Sequence, residues 1–196
     1  MRVNRKLSRA VSVVPALVIA LAVLAVAQTG SDSRSANVRI KNFGQVDKHL
    51  YRGAQPSRRD YADLAALGVK TVIDLQQDGE GGEEQEVEDA GMKFYRIPMS
   101  DKSWPSAEKA ELFLKLVNDP ANQPVFFHCH GGRHRTGAMT AIYRLTHDKW
   151  TADRAYAEMK QYDFESGFGH GTLKDYVYDY AQKSQKSIVV DAGTNK

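Results

Sequence analysis

Two short runs constrain the fold of this chain more than any other feature. Val69–Leu75 (VKTVIDL) and Pro124–Cys129 (PVFFHC) are compact apolar stretches. The first is rich in β-branched residues, which suits a buried strand of a parallel sheet. Met92–Met99 (MKFYRIPM) alternates as a third strand, and Val38–Ile40 and His49–Tyr51 read as two more. Helical patterns fall between them. Ser57 is placed to cap a helix, with Asp60 three residues on, an apolar face of Tyr61, Leu64, Ala65 and Leu67, and Gly68 as the stop. The acidic stretch Asp78–Gly91 predicts a loop and a short helix, with Glu83–Asp89 as a solvated face. Ser106 caps a helix through about Val117, and further helices are expected over Arg135–His147, Thr151–Tyr162 and Leu173–Ser184. The Gly-rich stretch Asp163–Gly171 reads as a connector. Strands alternating with helices define an α/β class: a central, mostly parallel sheet flanked by helices, in a single domain.

The amino end carries a different pattern. Arg2, Arg5, Lys6 and Arg9 precede an apolar run from about Ala10 to Ala27, which closes on Ala25-Val26-Ala27 before polar Gln28. This is the form of a secretory signal peptide. At roughly 18 residues, the run is also long enough for an uncleaved membrane anchor. The expected organisation is a leader or anchor over 1–27, a linker over 28–37, the domain over 38–184 and a flexible tail over 185–196. Export, to a periplasm or the extracellular space, follows from either form of the leader, with membrane association under the second. Four of the 27 basic residues precede Gln28 and no acidic one does, so the remainder carries 23 against 24, a net −1. No basic stripe is left for nucleic acid.

The chain has one cysteine, Cys129, so no internal disulfide holds the fold. It ends the PVFFHC strand, and the carboxyl edge of an α/β sheet is where ligands bind. Gly131 and Gly132 allow a tight turn, and a helix follows at once. Backbone N–H groups at a helix N-terminus form an anion site. Arg135, six residues after the cysteine, adds a bidentate fork for an oxyanion. In such a field a thiol falls from a pKa of about 8.5 toward roughly 3.5–7.5 and becomes a nucleophile. Phosphoryl transfer to sulfur, followed by hydrolysis, is the chemistry implied.

His128-Cys129-x5-Arg135-Thr136 resembles the H-C-x5-R-[ST] signature of cysteine-dependent phosphatases, in the form HCHGGRHRTG seen in the dual-specificity group. Tyr51–Ser57 (YRGAQPS), Leu67–Leu75 and Phe94–Asp101 (FYRIPMSD) are similar to the atypical members from bacteria, fungi and plants. The resemblance spans Val38 to Leu145. It implies Cys129 as nucleophile, Arg135 as phosphoryl ligand, Thr136 as a hydrogen-bond donor to sulfur, and His128 as a support of the loop and thiolate. It also implies a general acid about 30 residues earlier. Asp101, 28 residues before Cys129 and just after a strand, fits best, with Asp78 and Glu80 as weaker candidates. Trp104 and Pro105 either join that lid or pack on the core. His130, Gly131, Gly132, Arg133 and His134 complete the expected substrate loop. The ending Arg133-His134-Arg135-Thr136-Gly137 is similar to members that cleave inositol pyrophosphates. His130 and Arg133 also stand where inositol-lipid members are basic, so the resemblance implies a phosphorylated protein or, as the alternative, an inositol phosphate or phosphoinositide.

Two other classes compete. His128, Cys129, His130 and His134 are zinc-ligand types, but they crowd into seven residues, and neighbours on a strand point to opposite faces. No metal or other cofactor is expected. A pseudophosphatase that binds phosphate without turnover is the non-enzymatic alternative. Such proteins usually lack the Cys, the Arg or the acid, and all three are present here.

Overall fold

The computed structural model describes residues 38–193, with side chains through Ser184. The expected leader and linker lie outside the described residues. Five strands and six helices follow one another: β1 Gly44–Asp47, β2 Leu50–Ala54, α1 Arg58–Leu67, β3 Thr71–Gln76, α2 Glu83–Asp89, β4 Lys93–Met99, α3 Ala107–Asn118, β5 Val125–Cys129, α4 His134–Thr146, α5 Ala152–Gln161 and α6 Gly171–Gly193. The sheet order is β1-β2-β5-β3-β4. β2, β5, β3 and β4 run parallel, and only β1 is antiparallel to its neighbour. The protein is a single α/β domain with a mostly parallel sheet.

Residue alternation along β5 divides the core. Val125, Phe127 and Cys129 face α3, α4, α5 and α6, where Phe113, Met139, Ile142, Met159 and Val177 pack. Phe126 faces the other way, against Tyr61 and Leu64 of α1 and Val87 of α2. His128 follows Phe126 in phase and stacks on its ring, centroids 5.7 Å apart. Helix α1 starts as its sequence predicts. The Ser57 N–H donates to Asp60 Oδ2 at 2.7 Å, and Gly68, at φ 95°, ends the helix in the left-handed region.

Three expectations need correction. Val38–Ile40 is not a strand. The first strand is Gly44–Asp47, and Ile40 is instead buried beside Tyr51 and Phe126. Helix α6 runs to Gly193, past the expected end at Ser184 and into the segment read as tail. No proline or glycine interrupts residues 185–192, so nothing in the backbone stops it. The acidic face is not uniformly solvated: Glu83, the first residue of α2, is buried. Among the described residues, no helix is long and apolar enough to cross a membrane.

Candidate active site

β5 is the central strand, held between β2 and β3. Cys129 therefore leaves the sheet at its middle, at the carboxyl edge, with 2% of its surface exposed. Residues 130–133 then turn into α4. Three successive carbonyls of this turn are gripped from outside. The backbone N–H of Gln55 donates to His130 O (3.2 Å). Asn42 Nδ2 donates to Gly131 O (2.8 Å). Arg52 Nη2 donates to Gly132 O. A trans peptide is planar, with its N–H opposite its C=O. Holding these carbonyls outward therefore aims the N–H groups of Gly131, Gly132 and Arg133 into the turn, as an anion site requires. Gly132 sits at φ 64°, and a Cβ there would lie 2.5 Å from both Ala54 N and Gly53 C, so only glycine lets the turn approach β2 this closely.

Above the turn lies a cavity of about 320 Å³, lined by Gln76, Gln77, Asp78, Met99, Ser100, Asp101, His130 and Arg135. Its walls are the carboxyl ends of β3, β4 and β5. Arg135 is tied to β4 by Nη1 donating to Met99 O at 3.3 Å. Its Nε is buried and has no partner among the described residues, so that donor is open to an oxyanion. Asp101 reaches the same rim, with its side chain 39% exposed. Burial works to raise its carboxyl pKa, but the Arg135 charge and the His170 bond outweigh it and hold the group below the usual carboxylate range. Asp78 also lines the cavity. Glu80 is not among the lining residues.

The other face of β5 carries a buried polar cluster. His128 Nε2 stands 2.9 Å from Glu83 Oε1. Tyr61 Oη and Gln55 Nε2 both donate to the same oxygen, each at 2.8 Å. Burial opposes ionisation of Glu83, but its bonds to His128, Gln55 and Tyr61 hold its pKa below the usual range. Asp74, Glu83 and His128 each bring a potential metal-ligand atom within 4.8 Å of the others. Arg96 already supplies positive charge there, 2.9 Å from Asp74 and 3.6 Å from Glu83.

The remaining loop residues divide. His130 lines the cavity; Arg133 and His134 do not. His134 turns away and stacks on His170, centroids 3.6 Å apart, with Phe164 against its edge. Burial, then His170 and Arg133, lower its pKa to about 4, so it adds no charge at neutral pH. Thr136 is buried and turns its hydroxyl toward Gly53 O at 3.5 Å. Trp104 is 46% exposed, rests on Tyr176 and lies apart from the cavity. The Gly-rich connector, by contrast, borders the site, because His170 Nε2 is 3.4 Å from Asp101 Oδ2. Sequence reasoning missed Asn42, Arg52, Glu83 and His170. Arg52 alone left a signal: it shares the strand phase of buried Leu50, an odd place for a cation.

A cysteine at the end of the central strand, the turn that follows it, and an arginine and a carboxylate on one adjoining cavity define a cysteine-dependent phosphatase of the dual-specificity type. The family described as "DSP-PTPase phosphatase fused to NAD+ Kinase" matches residues 22–173, and the chain belongs to it. Among curated proteins, the chain is 30% identical over 126 residues to the Dictyostelium discoideum protein named "Probable tyrosine-protein phosphatase DG1060", covering 62% of this chain and 75% of that one. It is 27% identical over 130 residues to the inositol diphosphatase SIW14 of Saccharomyces cerevisiae, covering 63% of this chain and 46% of that one. Among solved structures, TpbA of Pseudomonas aeruginosa superposes with a TM-score of 0.61 at 27% identity, over 70% of this chain and 83% of that one.

Proposed function

We propose that this phosphatase acts on phosphorylated proteins, phosphotyrosine foremost, with Cys129 as nucleophile, Arg135 as phosphoryl ligand and Asp101 as general acid. The turn itself supports the reading: its carbonyls are taken by partners outside it, which turns its amides inward, and the Arg135 Nε has no partner among the described residues. The phosphoryl oxygens sit on the amides and the guanidinium. The Cys129 thiolate attacks phosphorus as the bond to the leaving oxygen breaks, and that oxygen takes the Asp101 proton. Water then attacks the cysteinyl-phosphate and gives a proton to the Asp101 carboxylate. The electron pair of the S–P bond returns to sulfur, and phosphate leaves. Amides and guanidinium hold the charge that builds on the equatorial oxygens. A phosphoryl dianion on Arg135 cancels the charge that pulls Asp101 down, so substrate binding itself moves Asp101 toward the acid form. His128, packed between Phe126 and Glu83, braces the strand from behind.

DG1060 and TpbA, a tyrosine-protein and a dual-specificity protein phosphatase by name, support the protein substrate. One observation favours a second reading. Among the described residues, Met99 is the one apolar side chain in the cavity wall, which suits a polar substrate such as an inositol phosphate, and SIW14 is an inositol diphosphatase by name.

The test is phosphate release by the full chain, with reductant and EDTA, from phosphotyrosine, phosphoserine and phosphothreonine peptides, inositol phosphates and inositol pyrophosphates. Turnover absent in Cys129→Ser and highest on phosphotyrosine supports the proposal. Preference for an inositol pyrophosphate moves the substrate to the second reading. Turnover that survives in Cys129→Ser sinks the mechanism.

The leader pattern of residues 1–27 supports export, to be checked by fractionating the native cell and sequencing the mature N-terminus. Outside a reducing compartment the lone thiol is open to oxidation, so turnover should be lost to peroxide and restored by thiol. Activity indifferent to peroxide contradicts a reactive thiolate.

A further inference from the structure

Arg52 is fully buried, and the reaction as written does not use it. Its guanidinium donates to Gly132 O and to Thr140 Oγ1 (3.3 Å), and its Cζ lies over the Tyr162 ring, 3.9 Å from its centroid. Buried arginines are almost always paired with a carboxylate, yet among the described residues none pairs with this one. The acid that faces it, Glu158, is taken by Arg144 in a fork of 2.7 and 3.0 Å, and Arg144 faces Arg52 as well. Those two charges cancel, leaving the Arg52 charge open. Burial lowers its pKa to about 10, opposed by Tyr162, Cys129 and Glu158, so it remains a cation at neutral pH.

The group positioned to answer that charge is Cys129. β2 and β5 are parallel neighbours with Ala54 opposite Cys129, so Arg52 starts two residues below the sulfur and reaches forward under the turn. The other charged or titratable groups around the cysteine lie elsewhere. His130 and Arg135 are at the cavity with Asp101, Arg133 ends the turn, His134 opens α4 and stacks on His170, and His128 is on the opposite face with Glu83.

We propose that Arg52 is a positioning residue: from beneath the turn it holds the Gly132 carbonyl outward and supplies the buried counter-charge of the Cys129 thiolate. This rests on the reading of Cys129 as a thiolate nucleophile. It gives the buried cation a partner and explains why an arginine interrupts the apolar phase of β2. Arg52 does not touch the substrate. It acts through the sulfur and through the shape of the amide nest.

The chain has one cysteine, so alkylation by iodoacetamide reports Cys129 alone. The measurement is the ratio of alkylation rates at pH 6 and pH 9, in the full-length wild type, Arg52→Gln and Arg52→Lys. It is read beside para-nitrophenyl phosphate turnover, inhibition by inorganic phosphate and the circular-dichroism melt. Arg52→Gln should lower the ratio tenfold or more and cut kcat/KM at least as far, while still melting cooperatively. Arg52→Lys keeps the charge but not the fork. It should hold the ratio within about threefold of wild type while phosphate inhibition weakens. If Arg52→Gln does not fold, Arg52→Lys decides: a ratio tenfold down in a folded Lys variant overturns the counter-charge role. A wild-type ratio in folded Arg52→Gln overturns it too. A wild-type protein with no alkylation at pH 6, or turnover in Cys129→Ser, refutes the nucleophile reading instead, so the two failures are distinct.

Discussion

Gly132→Ala tests the architecture of the turn most directly. At φ 64° an L-residue pays about 1–2 kcal/mol for the left-handed region. A second cost comes from space. The new Cβ would meet Ala54 N and Gly53 C at 2.5 Å and Gly53 O at 2.7 Å, all backbone atoms of β2. That strand is paired on both sides, so it cannot retreat without losing ladder bonds. Overpacking of this kind costs about 1–3 kcal/mol, and the two together come to about 2–5 kcal/mol. For a domain of this size, each kcal/mol moves Tm by about 2–4 °C, so a loss of about 4–20 °C is expected. Gly68→Ala separates the two costs. Gly68 has a more positive φ, 95°, but nothing lies within 4 Å of its Cβ position. It should lose only the backbone share. Differential scanning calorimetry of both variants, with phosphatase kinetics on each, is the assay. Gly132→Ala should lose the larger share of stability and, because the turn must move off β2, most of its kcat/KM; Gly68→Ala should keep its kcat/KM. Equal melting points for the two variants, or wild-type kcat/KM in Gly132→Ala, would refute the claim that the turn needs this close approach.

Three further outcomes are expected. Asp101→Asn should cut kcat by about 10²–10⁴ on alkyl phosphates, and far less on para-nitrophenyl phosphate, whose leaving group needs little protonation; equal losses on both would remove Asp101 as the acid. His170→Ala removes a bond that lowers the Asp101 pKa. Because an acid works only while protonated, the alkaline limb of kcat/KM should move to higher pH, and a limb that stays or moves down contradicts the contact. Glu83 titrates below its unfolded value of about 4.3. Its contribution to stability is therefore complete above that pH and is lost as pH falls through the lower folded value. Glu83→Gln should cost about 1–3 kcal/mol at pH 7 and flatten the urea midpoint below pH 4.3. A variant that keeps the wild-type acid slope would place that titration elsewhere.

Local pattern determined much of this protein. The strands at Val69–Leu75 and Pro124–Cys129, the Ser57–Asp60 cap, the Gly68 stop and the delivery of Cys129 to a strand end each depend on residues within a few positions of one another, where periodicity and capping chemistry act. Asp101 was legible for the same reason: a residue just past a parallel strand must emerge at the carboxyl edge. Tertiary structure alone decided what meets what. Asn42 and Gly131 are 89 residues apart, Arg52 and Gly132 80, and Asp101 and His170 69. Glu83 read as one more acid in a solvated run, yet packing of α2 against α1 and β4 takes it out of water and surrounds it with Tyr61, Gln55 and His128. Periodicity assigns a side chain to a face. It carries no record of the partner on that face, because the partner is chosen by the closure of distant segments around one core. The loop was therefore readable from ten consecutive letters, while the groups that hold its carbonyls, lie beneath it and border Asp101 emerged only when the sheet brought them together.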